Sequence, residues 1–170
     1  MIKQDTSENQ VKDIYLGIGS NLGDKKNNIE KAKFELIQNN INILQTSNYY
    51  ESLSWPDSKK PKFLNVVLKI SSFFSPIDLL KICKKIETKL GRKKAPKNSP
   101  RECDIDIIDY NYKKSENKIL LPHPKMHTRN FVLMPLFEIN KNWRHPVTKL
   151  HIKKLILSLP KMDITSIKQI

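Results

Sequence analysis

Four residues set the strictest limit on how this chain can fold: Asp104-Ile105-Asp106-Ile107. Acidic and apolar side chains alternate there with a period of two, the signature of a half-buried strand. Successive side chains on a strand point to opposite faces, so the isoleucines face one way and the carboxylates the other. Positions i and i+2 lie roughly 6.6 Å apart along a strand. Two carboxylates on that spacing repel unless a cation lies between them. The spacing suits two metal ions about 3.5–4 Å apart, each touching one or both acids. Arg101 stands just before the pair, and Arg92, Lys93, Lys94 and Lys97 lie upstream. Carboxylates, metal and guanidinium together describe a polyphosphate site. The plainer alternative is a solvated strand face beside an ordinary charge run, because short motifs match by chance.

The flanking segments supply the partners such a strand needs. Residues 14–18 form a short apolar run suited to a buried strand, ending at Gly17-Ile18-Gly19-Ser20-Asn21-Leu22-Gly23. Those glycines are one residue too widely spaced for the dinucleotide fingerprint and lack a P-loop ending, so they read as a turn. Asp24 can cap a helix carrying Ile29, Ala32, Leu36 and Ile37, which Asn39-Asn40 end. Residues 41–50 read as a second strand, 51–62 as a polar loop bearing Leu53 and Trp55, and 63–74 as a third strand. Ser75-Pro76-Ile77-Asp78 is a helix start; Leu79, Ile82, Ile86 and Leu90 form its stripe, and Gly91 suits the C-terminal cap. The basic loop 92–100 has no apolar anchor beyond Ala95 and reads as mobile.

The order strand, helix, strand, strand, helix, strand is the ferredoxin-like βαββαβ arrangement: an α+β sandwich with helices packed against an antiparallel sheet. Residues 111–121 add a hairpin, and a last helix capped by Thr148 carries Leu150, Leu155, Ile156 and Leu159. One domain is expected over residues 13–160, between tails at 1–12 and 161–170.

Charge bounds the partners. The 170 residues carry 31 Lys and Arg against 17 Asp and Glu, a net +14. That favours nucleic acid, an anionic membrane surface or phosphorylated small molecules. The lysines are scattered rather than massed, which is more often a solvated surface than a recognition stripe. Two cysteines, Cys83 and Cys103, form no zinc or redox spacing and fit a reducing cytosol. The first residues hold no apolar signal core, and no apolar run approaches the length of a membrane span.

Taken together, several separated motifs resemble the 6-hydroxymethyl-7,8-dihydropterin pyrophosphokinase family of folate biosynthesis, over roughly residues 13–145. They are residues 15–23, Tyr50-Glu51-Ser52 with Phe63-Leu64-Asn65, residues 100–107, and Leu121-Pro122-His123-Pro124 with Arg129-Asn130-Phe131-Val132-Leu133. The resemblance implies transfer of pyrophosphate from ATP to the pterin's hydroxymethyl oxygen, with release of AMP. It implies that Asp104 and Asp106 hold two Mg²⁺ ions and that Arg92 and Arg101 grip the phosphates. Glu87, Lys94, Ile107, Lys118, His123 and Arg129 would lie on the nucleotide side. Ser52, Leu53, Trp55, Phe63, Asn65 and Phe131 would form the pterin pocket, with Asn65 reading the amide edge and Phe131 stacking on the ring. A cytoplasmic monomer acting on small molecules, without nucleic acid or membrane, is the expectation.

Four positions depart from the family pattern. Asn98-Ser99 stand where an aromatic-Gly pair is frequent, which puts a stacking contact from that loop in question. Lys94 replaces a common Arg, a point charge for a planar fork. Phe63 stands where Tyr can occur. Two rivals share the fold: a basic RNA-binding module, which needs aromatics on an open sheet face, and a metal-binding regulatory domain without catalysis.

Overall fold

β1 (Ile14–Ser20) is the hub of the sheet. It lies antiparallel between β4 (Phe63–Ser71) and β5 (Asp104–Tyr110). The computed structural model describes residues 13–116 and 118–170; the tail expected over residues 1–12 lies outside them. Alternate β1 residues Ile14, Leu16 and Ile18 join Val66, Leu68 and Ile70 of β4, with Ile105 and Ile107 of β5, in one core. That face is covered by α1 (Lys25–Gln38) through Ile29, Ala32 and Leu36, and by α2 (Pro76–Lys89) through Leu79, Cys83 and Ile86. Both helices start as their caps require: Asp24 accepts from Asn27 N at 3.1 Å, and Ser75 Oγ from Asp78 N at 3.2 Å. Ile37 falls off the α1 stripe and is exposed.

The other face is also covered. Tyr15, Val67 and Ile108 pack with Val132, Leu133 and Leu136 of α3 (Asn130–Ile139) and with Ile152 and Leu155 of α4 (Ile152–Leu157). α3 is apolar nearly all round, as a helix buried between a sheet and another helix must be.

The strand expected over 41–50 is two. β2 (Asn42–Thr46) pairs with the end of β4 and β3 (Tyr50–Ser52) with its beginning. Between them Ser47 enters the ladder itself: its N–H donates to Val67 O, and its hydroxyl accepts from Val67 N, both at 2.9 Å. The hairpin expected over 111–121 reduces to one bridge, Ser115 to Leu121. Asn111 and Tyr112, at φ 50° and 57°, turn the chain, and Asp109 Oδ1 takes the Tyr112 N–H. Thr148 does not cap α4, the helix expected after it; His151 does, accepting from Lys153 N at 3.2 Å. Residues 161–170 are not a tail. They form α5 (Lys161–Ser166) and β6 (Lys168–Gln169), and β6 pairs with β3, giving the order β5-β1-β4-β3-β6 with β2 also on β4. An open edge at β3 explains the pairing, since unpaired strand groups seek a partner. Among the described residues no helix is long and apolar enough to cross a membrane.

Candidate active site

The register of three strands builds the site. Asp104 on β5, Gly19 on β1 and Asn65 on β4 stand opposite one another in a row; Asp106, Gly17 and Val67 form the next. The two glycines put no side chain between the carboxylates and the amide, so a trough opens across the sheet. A Cβ at Gly19 would sit 3.2 Å from both Asn65 Oδ1 and a Phe63 ring carbon. Loops and the start of α3 wall this trough into a cleft.

The acidic end is held by cations. Asp104 Oδ1 accepts from Arg92 at 2.6 Å, and Arg101 pairs with Oδ2. Burial raises the Asp104 carboxyl, but the Arg101 guanidinium and its hydrogen bond, with Arg92 behind, hold it below the usual carboxylate range. Asp106 is more open: Arg129 lies 3.6 Å and His123 Nε2 3.8 Å from its Oδ2. His123 Nδ1 accepts from Lys125 N at 3.2 Å, so in the neutral ring Nε2 carries the proton toward Asp106. Burial pushes the His123 pKa down, and Arg129 adds to this against the pull of Asp106. Arg101 Nε and Arg129 Nε are buried with no hydrogen-bond partner among the described residues.

The other end is flat and apolar. Arg101 lies 5.1 Å over the Phe63 ring; Arg129 lies 5.5 Å from both Trp55 and Phe131, and Lys125 4.9 Å over Trp55. Asn65 gives its amide hydrogens to Tyr50 O (3.1 Å) and Ser52 Oγ (3.0 Å), so its carbonyl oxygen is what it offers to a ligand.

Most residues expected at the site meet here. Ser52, Trp55, Phe63, Asn65, Arg101, Asp104, Asp106, His123, Arg129 and Phe131 line the one cleft, and Arg92 reaches it through Asp104. Leu53 lines an adjoining recess that shares Trp55, Arg129 and Phe131 with the cleft. Four residues do not face it. Ile107 points into the core beneath the helices, as its position in the alternation requires. Glu87 is 2% exposed on the buried side of α2; it accepts from Ile105 N and pairs with Lys84 and Arg92, each at 2.7 Å. Lys94 and Lys118 are exposed side chains off the cleft wall. Gly17, Gly19 and Met126 are lining residues that sequence reasoning missed, and Asn98 lines the cleft from the loop whose stacking contact was in question. The parity of the glycines with Tyr15 was the available signal, but only the register reveals what they face.

Among the described residues no three His, Cys, Asp or Glu side chains gather to hold an ion on their own. Two hard carboxylates fit Mg²⁺, which keeps several waters and completes its shell with substrate phosphates. The cleft thus brings together acids that could take a divalent cation, guanidiniums that could take a polyanion and an aromatic slot that could take a flat ring, the parts a phosphoryl-transfer site needs.

A family model described as 7,8-dihydro-6-hydroxymethylpterin-pyrophosphokinase (HPPK) matches residues 15–141, and the chain belongs to that family of diphosphotransferases. The 2-amino-4-hydroxy-6-hydroxymethyldihydropteridine pyrophosphokinase of Aquifex aeolicus is 40% identical over 142 residues, 83% of this chain and 88% of that protein. Folic acid synthesis protein FOL1 of Dictyostelium discoideum is 40% identical over 148 residues, which are 86% of this chain and 22% of that protein. The crystal structure of wild-type Plasmodium falciparum HPPK-DHPS shares the fold, with TM-score 0.73 at 15% identity over 96% of this chain; the match spans 45% of that longer chain. The RNA-binding alternative finds no support in these relatives; the strand aromatics Tyr15, Tyr50 and Tyr110 are buried, and Phe63 at the start of β4 is half-buried in the cleft wall.

Proposed function

We propose that this chain transfers the terminal diphosphate of ATP to 6-hydroxymethyl-7,8-dihydropterin, and that the cleft described above is where it does so. The hydroxymethyl oxygen attacks the β-phosphorus, the bond from that phosphorus to the α-bridging oxygen breaks, and AMP leaves. The observation that carries this reading is the meeting, in one cleft, of the Asp104 and Asp106 carboxylates with the Arg101 and Arg129 guanidiniums beside an aromatic slot. Acids that suit a divalent cation and guanidiniums that suit phosphate oxygens are the two halves of a triphosphate site.

Asp104 and Asp106 would hold Mg²⁺, two ions in our reading, whose charge neutralises the triphosphate when bound. Arg101 exchanges part of its hold on Asp104 for phosphate oxygen, and Arg92, tied to Asp104 and Glu87, steadies the acid meanwhile. Arg129 takes a second phosphate group. His123, neutral, donates from Nε2 on the Asp106 side. The pterin lies between Phe63 and Phe131 with Trp55 closing the side, and its N–H edge donates to Asn65 Oδ1. Leu53 supports Trp55 from the neighbouring recess. Glu87 acts through Arg92, and Ile107, Lys94 and Lys118 take no side-chain part. Positioning and charge neutralisation carry the step, since no side chain is placed as a strong general base. We further propose a cytoplasmic monomer; the two free, buried thiols suit a reducing compartment.

The test is AMP release by the purified chain. AMP appears only with ATP, Mg²⁺ and the hydroxymethyl pterin together, and chelation stops it. AMP release indifferent to the pterin, or none at all, overturns the reading.

A further inference from the structure

Asn21 lies in the turn after β1, 3% exposed, and touches no part of the reaction described above. Its side chain nevertheless joins the two ends of the cleft. Asn21 Oδ1 accepts from Arg101 N at 2.8 Å, and its own N–H donates to Arg101 O at 3.1 Å. On the other side Asn21 Nδ2 donates to Pro61 O at 3.1 Å and to Ser54 Oγ at 3.4 Å. Ser54 Oγ itself donates to Pro61 O at 2.6 Å. Ser54 and Pro61 are the two feet of the loop that carries Trp55, so one planar amide is clamped between that loop and the backbone of Arg101.

The donors and acceptors leave no choice of amide orientation, because Arg101 N can only give and Pro61 O can only accept. The group is rigid and almost fully out of water. A shift of the Trp55 loop therefore either turns the amide and carries Arg101 with it, or strands a buried polar group. A second bridge spans the mouth in the same sense, from Lys60 Nζ to Asn98 O at 2.8 Å.

We propose that Asn21 is a positioning residue that couples the two halves of the cleft. Closure of the Trp55 loop on the flat ligand sets Arg101 for the polyphosphate, and polyphosphate on Arg101 draws the loop shut. This rests on the function proposed above. Linkage then requires each ligand to raise the other's affinity by the same factor.

The experiment measures pterin affinity by calorimetry with and without saturating Mg²⁺ and α,β-methylene ATP, which cannot be cleaved at the bond in question. Asn21→Asp keeps the acceptor for Arg101 N but turns the donor facing Pro61 into an acceptor. Ser54→Ala removes the hydroxyl on the loop side and serves if the first variant does not fold. Trp55 is half exposed while Trp143, the other tryptophan, is fully buried, so acrylamide quenching of fluorescence reports on the loop. In the parent chain the nucleotide raises pterin affinity by about fivefold or more and reduces quenching. In the variant the coupling factor falls below half the parent value and quenching no longer responds to nucleotide. A parent chain without coupling, or a folded variant keeping half its coupling or more, overturns the proposal. Pterin-dependent AMP release by the parent chain, measured alongside, separates that failure from failure of the proposed function.

Discussion

Replacing Glu87 by Gln discriminates between two roles for that residue, contact with the nucleotide and anchorage of Arg92. Glu87 is 2% exposed and receives the Ile105 N–H, Lys84 and Arg92, each at 2.7 Å. Gln retains an acceptor for Ile105 N but presents an NH₂ group to a cation. Removing one partner from a wholly buried ion pair costs about 3–5 kcal/mol. Here Lys84 and Arg92 remain 47% and 32% exposed, and Arg92 keeps Asp104, so the loss should be nearer ~2 kcal/mol. In a chain of this size that lowers Tm by about 4–8 °C. Arg92, no longer braced, should hold Asp104 less well. We expect AMP release to slow by roughly tenfold with the KM for ATP changed by no more than about threefold, because the loss lies in the transition state. Differential scanning calorimetry and steady-state kinetics measure both quantities. An unchanged Tm with a KM for ATP raised tenfold would refute the anchoring role and return Glu87 to the nucleotide.

Three further outcomes are expected. Asp106→Asn, which withdraws a metal-holding carboxylate, should slow AMP release by about 100-fold or more. Its unfolding free energy should stay within about 0.5 kcal/mol of the parent, since Asp106 is 38% exposed and its contacts to Arg129 and His123 are long, 3.6 and 3.8 Å; a large stability loss would contradict this. Gly19→Ala places a methyl 3.2 Å from Asn65 Oδ1, which two hydrogen bonds hold still. Pterin affinity should drop about tenfold or more, and near-normal affinity by calorimetry would show that the trough is not the pterin seat. Burial pushes the Asp109 carboxyl up to about 6, against hydrogen bonds from Trp143 and the backbone. A folded pKa above the unfolded one means stability present below about pH 4 and lost as pH rises through about 6. The parent chain's stability relative to Asp109→Asn should therefore fall by about 2 kcal/mol from pH 4 to 6.5. Urea unfolding across that range checks it, and parallel curves would refute it.

The alternation at 104–107 carried both the fold and the site, because a strand's parity follows directly from its residues. It also set Ile107 on the opposite face from the acids, in conflict with the nucleotide role that resemblance implied, and the side chain obeys the parity. Helix starts at Asp24 and Ser75 were legible since their cap bonds are local. What was not legible depends on distant pairings. Gly17 and Gly19 look like turn residues until β5 and β4 are laid beside them. Ser47 looks like part of a strand until its hydroxyl is seen to replace a ladder partner for Val67. The terminal ten residues carry Met162, Ile164, Ile167 and Ile170 without a sustained helix or strand period, and the vacant side of β3 is what gives β6 its place.

The glycine floor has a consequence for inhibitors. A compound seated against bare backbone at positions 17 and 19 meets a surface that mutation can alter only by adding atoms, and atoms added there obstruct the natural ligand as well. Resistance would then have to arise at the rim, at Trp55, Phe63 or Phe131, where a side chain can shrink as well as grow. A molecule drawing its affinity from the bottom of the trough rather than its walls would leave the enzyme few ways to escape.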